Sequence, residues 1–302
     1  MKLVNRLFLL VFWASAAFAH APCPDYLKQF LTQYERPFTL VEVQPGSSAL
    51  SFSIAQDFDC TCVIIEHDAY KQLLADCKQQ NPEHVILLAR TIGWPGYRTL
   101  SECEHFDVVV IRDPQERFTI EFEPNWACLL QLGDYTFIEI PKKHLEYTQK
   151  LCSYLQTQNI TFQELENESG NVCIFIDHPR KTLKRKVWQS DINTFQPYSV
   201  RSSFTSKELV SRLKKKPTPW IPGINLATFI TLSGMYPDKE LIYKKITEFK
   251  GVAHNDFWLG NMIIQGTDIK LIDFGDKRRN ANFEKQYKKT LGLIKNLRGI
   301  PW

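Results

Sequence analysis

Between residues 37 and 178 the chain alternates short apolar runs with amphipathic stretches, and this rhythm limits the possible folds more than any other feature. TLVEV (39–43) reads as a strand, followed by a turn at Pro45-Gly46 and a helical run from Ser47 to Gln56. CTCVIIE (60–66), a helix from Asp68 to Gln79 and VILLAR (85–90) come next. FDVVVI (106–111) and YTFIEI (135–140) then flank a helical WACLLQLG. A long helix from Lys142 to Gln158 precedes two final strands, TFQEL and VCIFI, close enough in sequence to pair antiparallel. Strands this continuously apolar have no polar face to offer water, so helices must cover both sides of the sheet. The expected fold class is α/β: a Rossmann-like, mostly parallel sheet over residues 23–178, then a smaller α+β segment.

After residue 178 the texture changes. RKTLKRKVWQS and YSVRSSFTSKELV read as two strands of a basic hairpin, and RLKKKPTPWIPG carries three prolines that stop regular structure, so 179–223 is expected to be hairpin and connector. A helix is expected from Ile224 to Ser233, a turn at Gly234-Met235-Tyr236-Pro237, and helices over Lys239–Phe249 and Phe283–Leu297. Charge follows the same divide. Residues 1–178 hold 13 Lys+Arg against 23 Asp+Glu, a net of −10, and residues 179–302 hold 24 against 10, a net of +14. The basic half suits an anionic partner, or the acidic half of the same chain.

At 302 residues and 44% apolar, the chain is long enough for a packed core. MKLVNR followed by LFLLVFWASAA and Ala17-Phe18-Ala19 has the charged start, apolar run and small-residue site of a secretory signal over residues 1–19. The mature protein is therefore expected to be soluble and exported, beginning near His20. Eight cysteines, none after Cys173, are too sparse for a stapled scaffold. Cys60 and Cys62, two apart in a strand, share a face and read as core thiols or disulfide halves rather than metal ligands.

Five β-α steps, a long helix and a terminal strand pair resemble the class I S-adenosylmethionine-dependent methyltransferases, over about half the chain. In that family the first strand ends in an acid and a glycine-rich turn, where the backbone approaches the cofactor closely. Here the segment is Glu42-Val43-Gln44-Pro45-Gly46-Ser47-Ser48: Glu42 and Gly46 match, while Gln44 and Ser48 stand where glycines are usual. Glu66, at the end of the second strand, matches the acid that holds the cofactor's ribose hydroxyls. The resemblance implies S-adenosylmethionine bound by Glu42, Gly46 and Glu66.

A second resemblance lies near the end of the chain. His254-Asn255-Asp256-Phe257-Trp258-Leu259-Gly260-Asn261 has the form H-x-D-x-x-x-x-N, and Asp273-Phe274-Gly275 follows twelve residues later. These residues resemble the catalytic loop and metal-binding segment of the protein-kinase-like superfamily, especially the aminoglycoside and choline kinases. MIIQGTDIKLI between them reads as a hairpin, with strands Met262–Gln265 and Ile269–Ile272, that sets Asn261 beside Asp273. The resemblance implies that Asp256 accepts the acceptor's proton, His254 orders the loop, Asn261 and Asp273 hold Mg2+, and ATP is the donor. No glycine-rich phosphate loop occurs, and only 26 residues follow Asp276. The phosphate contacts would then fall to Lys184, Lys186 and Arg201 in the basic hairpin.

The expectation drawn from these residues is metal- and nucleotide-dependent phosphotransfer to a small or lipid-linked hydroxyl acceptor, through a truncated kinase-like segment at 224–302. Methyl transfer by the N-terminal domain is the alternative enzyme reading. An exported, catalytically degenerate binding protein is the non-enzymatic one.

Overall fold

The computed structural model describes residues 23–46, 49–88, 94–114, 118, 122–165, 170–178, 185–189, 196–200, 221–250, 257–272 and 283–296. The expected signal segment lies outside these, as does the proline-rich connector up to residue 220. Among the described residues no helix is long and apolar enough to cross a membrane.

Helix α1 (Asp25–Leu31) leads into β1 (Phe38–Val43), α2 (Ser51–Asp57), β2 (Cys60–Ile65), α3 (Tyr70–Gln80) and β3 (Val85–Leu88). Next come α4 (Trp94–Cys103), β4 (Phe106–Arg112), α5 (Phe122–Leu129), β5 (Gly133–Pro141), α6 (Leu145–Thr157), β6 (Gln163–Leu165) and β7 (Asn171–Asp177). Strands β8 (Arg185–Gln189) and β9 (Gln196–Val200) pair antiparallel, as the basic hairpin requires. The remainder is β10 (Ile224–Asn225), α7 (Leu226–Thr231), β11 (Gly234–Tyr236), α8 (Lys239–Glu248), β12 (Met262–Gln265), β13 (Asp268–Leu271) and α9 (Phe283–Asn296).

The main sheet has the order β11-β3-β2-β1-β4-β5-β7-β6. Strands β3, β2, β1, β4 and β5 are parallel; β7 runs antiparallel to β5, and β6 antiparallel to β7. Every residue of β1, β2 and β3 is buried, as their unbroken apolar runs demand. Alternate side chains serve two cores. Val41, Val43, Val63, Ile65, Val109 and Ile111 enter one, and Leu40, Cys62, Ile64, Val108 and Val110 the other.

Helix boundaries follow local chemistry. Asn81 ends α3 in the left-handed conformation (φ +46°), with its N–H bonded to the Cys77 carbonyl. Asn225 and Asp238 cap α7 and α8 by accepting from the N–H groups of Ala227 and Leu241. Two helices, α1 and α4, were not foreseen from the sequence. All eight cysteines are free thiols, with the Cys60 and Cys62 sulfurs 3.7 Å apart on one face. Burial is the main reason the Cys77 and Cys173 thiols are pushed up to about 12.

The turn expected at 234–237 is instead a strand. Gly234–Tyr236 extends the main sheet by pairing antiparallel with β3, and the Tyr236 hydroxyl donates to Asn81 Oδ1 at 3.0 Å. Three further bonds cross between the early and late parts of the chain: Gly223 N–H to Thr39 Oγ1 (2.8 Å), Asn225 N–H to Glu104 Oε1 (3.0 Å) and Thr267 N–H to the Glu83 carbonyl (3.0 Å). Ile224, Phe229, Ile264 and Ile294 share the core of Val41 and Val109.

Candidate active site

In an open parallel sheet the loops leaving adjacent strands at a reversal of strand order diverge to opposite faces, and a crevice opens between them at the carboxyl edge. Here that point lies between β1 and β4. A cleft of about 290 Å³ occupies it, lined by Gln44, Pro45 and Gly46 after β1, Arg112 and Asp113 at the end of β4, Glu139 and Pro141 of β5, and Asn171 of β7.

The loop after β1 is shaped by two residues in the left-handed region, Gln44 (φ +53°) and Gly46 (φ +70°). Gln44 donates its N–H to the Ile65 carbonyl at 2.7 Å and its side-chain amide to the Tyr97 hydroxyl at 3.1 Å, which fixes the start of the turn. A Cβ built on Gly46 meets nothing within 4 Å, so the space before it is open.

Both sequence-predicted carboxylates reach this edge, each holding main chain. Glu42 is 0% exposed and accepts from Leu50 N (2.9 Å), Ser51 N (2.9 Å) and Ser51 Oγ (2.7 Å), anchoring the start of α2. Burial raises its pKa, an effect that the hydrogen bonds from Leu50 and Ser51 counter. Glu66, also 0% exposed, accepts at Oε1 from His67, Asp68 and Ala69 N–H at the entry to α3. Its Oε2 accepts from Gly46 N–H at 2.8 Å. The structure thus joins Gly46 to Glu66 directly, and it gives Glu42 a helix-anchoring role.

On the far wall, Arg112 Nε lies 3.2 Å from Glu139 Oε2, and Asn171 Nδ2 donates to Glu139 Oε1 at 3.0 Å. Asp113 leaves β4 with φ +46° and is held by its N–H on the Glu139 carbonyl at 2.9 Å. None of Gln44, Arg112, Asp113, Glu139 or Asn171 was predicted. A signal was present: Gln44-Pro45 and Asp113-Pro114 each follow an apolar strand directly, and proline cannot continue a ladder. A polar residue at such a break is turned out of the sheet at its carboxyl edge.

The second predicted constellation is described in part. β12 and β13 form the expected hairpin, shifted by one residue in the second strand, and the Ile272 N–H bonds to the Asn261 carbonyl at 2.9 Å. Asn261 is 4% exposed and is the last residue of the short turn, Leu259–Asn261, that precedes β12. Lys186 lies in β8 opposite Ser199. His254, Asp256, Asp273, Lys184 and Arg201 lie outside the described residues. Among the described residues no group of three or more His, Cys, Asp or Glu side chains is arranged to hold a metal ion.

No protein-family model and no curated protein matches this chain. Among solved structures it is similar to an S-adenosylmethionine-dependent methyltransferase from Aquifex aeolicus, at 11% identity and a TM-score of 0.40, covering 51% of this chain and 88% of that one. It is similar to precorrin-6y C5,15-methyltransferase from Geobacter metallireducens at 10% identity and a TM-score of 0.39, covering 53% and 93%. The crystal structure of monomeric WbdD is similar over 93% of this chain and 87% of that one, at 11% identity and a TM-score of 0.39. The activities named are those proteins' own, and the fold assignment rests on the strand pairings above.

These findings correct the leading expectation. Where these similar proteins are named for an activity, it is methyl transfer, whereas magnesium- and ATP-dependent phosphotransfer was expected.

Proposed function

We propose that the chain is a methyltransferase-type transferase whose cofactor, S-adenosylmethionine, binds at the carboxyl edge of the main sheet. One observation carries this reading: the open cleft at the β1/β4 strand reversal, with Gly46 on its wall hydrogen-bonded to Glu66.

The residues present fit the group. Glu66 is an acceptor-only carboxylate, suited to a pair of vicinal hydroxyls, and the hydroxyl donors would replace the Gly46 N–H like for like. Gly46 leaves open space where any side chain would intrude. Glu66 and the Gly46 main chain would hold the cofactor's ribose side, and Glu42 would hold the loop by anchoring α2. When bound, the cofactor supplies an electrophilic methyl group. The chain's own residues bind and orient: Glu66 fixes the turn into α3, and the Arg112–Glu139–Asn171 group stiffens the opposite wall.

Calorimetric titration of the full chain with S-adenosylhomocysteine tests the reading. Binding is expected, with a raised melting temperature of the complex. Glu66→Gln is expected to weaken it by about tenfold, from loss of one charge-assisted contact. Absence of binding by the unaltered chain would sink the proposal.

A further inference from the structure

The side chains of Asp113 and His144 each leave a buried polar atom without a hydrogen-bond partner. Asp113 lines the cleft in a left-handed conformation, with its side chain 42% exposed overall. Its Oδ1, however, is buried and accepts no hydrogen bond. Facing that oxygen at 3.8 Å is Nε2 of His144, which is also buried and also without a hydrogen-bond partner. His144 ends the short 3-10 turn that follows β5, so the pair spans the carboxyl ends of two adjacent strands. Two orphaned polar atoms cost stability unless something else uses them. Their separation lies just beyond a direct hydrogen bond, and a small movement of either side chain closes it.

Asp113 also has a cleft side, where it stands among Gln44, Arg112 and Asn171. Among the described residues, the charged and titratable groups around the pair are Arg112 on its own strand, Glu139 on β5, Tyr147 on α6 and the exposed Lys142 and Lys143 of the turn. Arg112 is engaged by Glu139, and among the described residues lining the cleft Asp113 is the carboxylate with a buried oxygen that has no hydrogen-bond donor.

We infer that Asp113 accepts the proton of the methyl acceptor, with His144 as its positioning residue, and that the acceptor is therefore a hydroxyl or an amine. This rests on the reading above. In the step, the acceptor's oxygen or nitrogen forms a bond to the methyl carbon. The methyl–sulfur bond breaks with its electron pair staying on sulfur, and the acceptor's O–H or N–H proton passes to the Asp113 carboxylate. His144 holds the other oxygen, Oδ1, and turns the carboxylate toward the cleft. A thiolate acceptor carries no such proton and needs no such base.

The test is transfer from labelled S-adenosylmethionine to phenol, aniline and thiophenol, alongside S-adenosylhomocysteine calorimetry on each variant. For Asp113→Asn, kcat on phenol and aniline is expected to fall by about 10²-fold or more, with thiophenol transfer and S-adenosylhomocysteine binding kept. Added formate is expected to restore part of the rate in Asp113→Ala. His144→Gln, whose amide still donates, is expected to retain more activity than His144→Leu, with KM unchanged in both. The inference is overturned if the unaltered chain binds S-adenosylhomocysteine yet methylates only thiophenol or none of the probes. It is equally overturned if Asp113→Asn loses all three transfers alike or none. Failure of the unaltered chain to bind S-adenosylhomocysteine removes the underlying reading instead.

Discussion

Glu42 and Glu66 show how one residue type at one kind of position serves two ends. Each stands at the carboxyl end of a strand and accepts backbone N–H groups at the entry to the helix that follows, Glu42 with both oxygens and Glu66 with one. Helix starts leave such donors unpaired, so a buried carboxylate there is a structural solution before it is a ligand. The Glu42 carboxyl is raised above its ordinary 4.5, burial being the larger cause. A carboxyl that binds its proton more tightly in the native state than in the unfolded one lowers stability as pH climbs from 4.5 through the raised value. Urea midpoints measured from pH 4 upward are expected to fall along that limb in the native chain and to stay flatter in Glu42→Gln. Equal slopes would show that another group is responsible. Glu42→Ala is expected to cost about 2 kcal/mol near pH 4, because the Leu50 and Ser51 N–H groups lose a buried partner, and less as the pH rises.

Elements of the later chain are fitted to the first sheet by close main-chain contacts. Gly266, in the turn between β12 and β13, has φ +64°, and a Cβ there would lie 1.9 Å from the Glu83 carbonyl oxygen just before β3. That neighbour is backbone and cannot rotate away. Thr267 then donates its N–H to the same carbonyl at 3.0 Å. Gly266→Ala is therefore expected to destabilise the protein by about 1–3 kcal/mol, read as a lowered urea midpoint at unchanged slope. An unchanged midpoint would mean that the hairpin does not sit against β3 in solution. In β11 a Cβ at Gly234 would fall 2.1 Å from the Phe229 ring of α7. The pattern Gly-x-Tyr-Pro looked like a turn because glycine and proline are the commonest turn residues. Its use as an edge strand depends on the uncovered side of β3, which no local rule reveals.

At the scale of the whole molecule, the two charge halves do not mark two cores. Residues on either side of position 200 share one sheet and one apolar cluster, joined by bonds at Thr39, Glu83 and Glu104. Thermal unfolding is expected to follow a single cooperative transition with coincident fluorescence and circular-dichroism curves. A chain ending at residue 220 is expected to lose that transition, since it exposes the edge of β3 and the cluster around Phe229. Two separated transitions in the full chain would refute this coupling.

What the sequence by itself determined is the periodic part of the protein. Unbroken apolar runs in β1, β2 and β4 dictate a sheet covered on both faces, and the shared face of Cys60 and Cys62 follows from a period of two. The hairpin of β12 and β13 was legible from its Gly-Thr-Asp turn for the same reason, since the signal lies within a few residues. Glu42, Gly46 and Glu66 were legible as residues of one edge, but their hydrogen bonds were not, because those depend on where the next helix begins. Only the tertiary structure decided that Asn261 is buried, that Gly234–Tyr236 is a strand, and that Asp113 and His144 meet. Each of these is a contact between segments distant in the chain or carried by different elements. Such contacts are set by which surfaces remain uncovered once the local elements have formed.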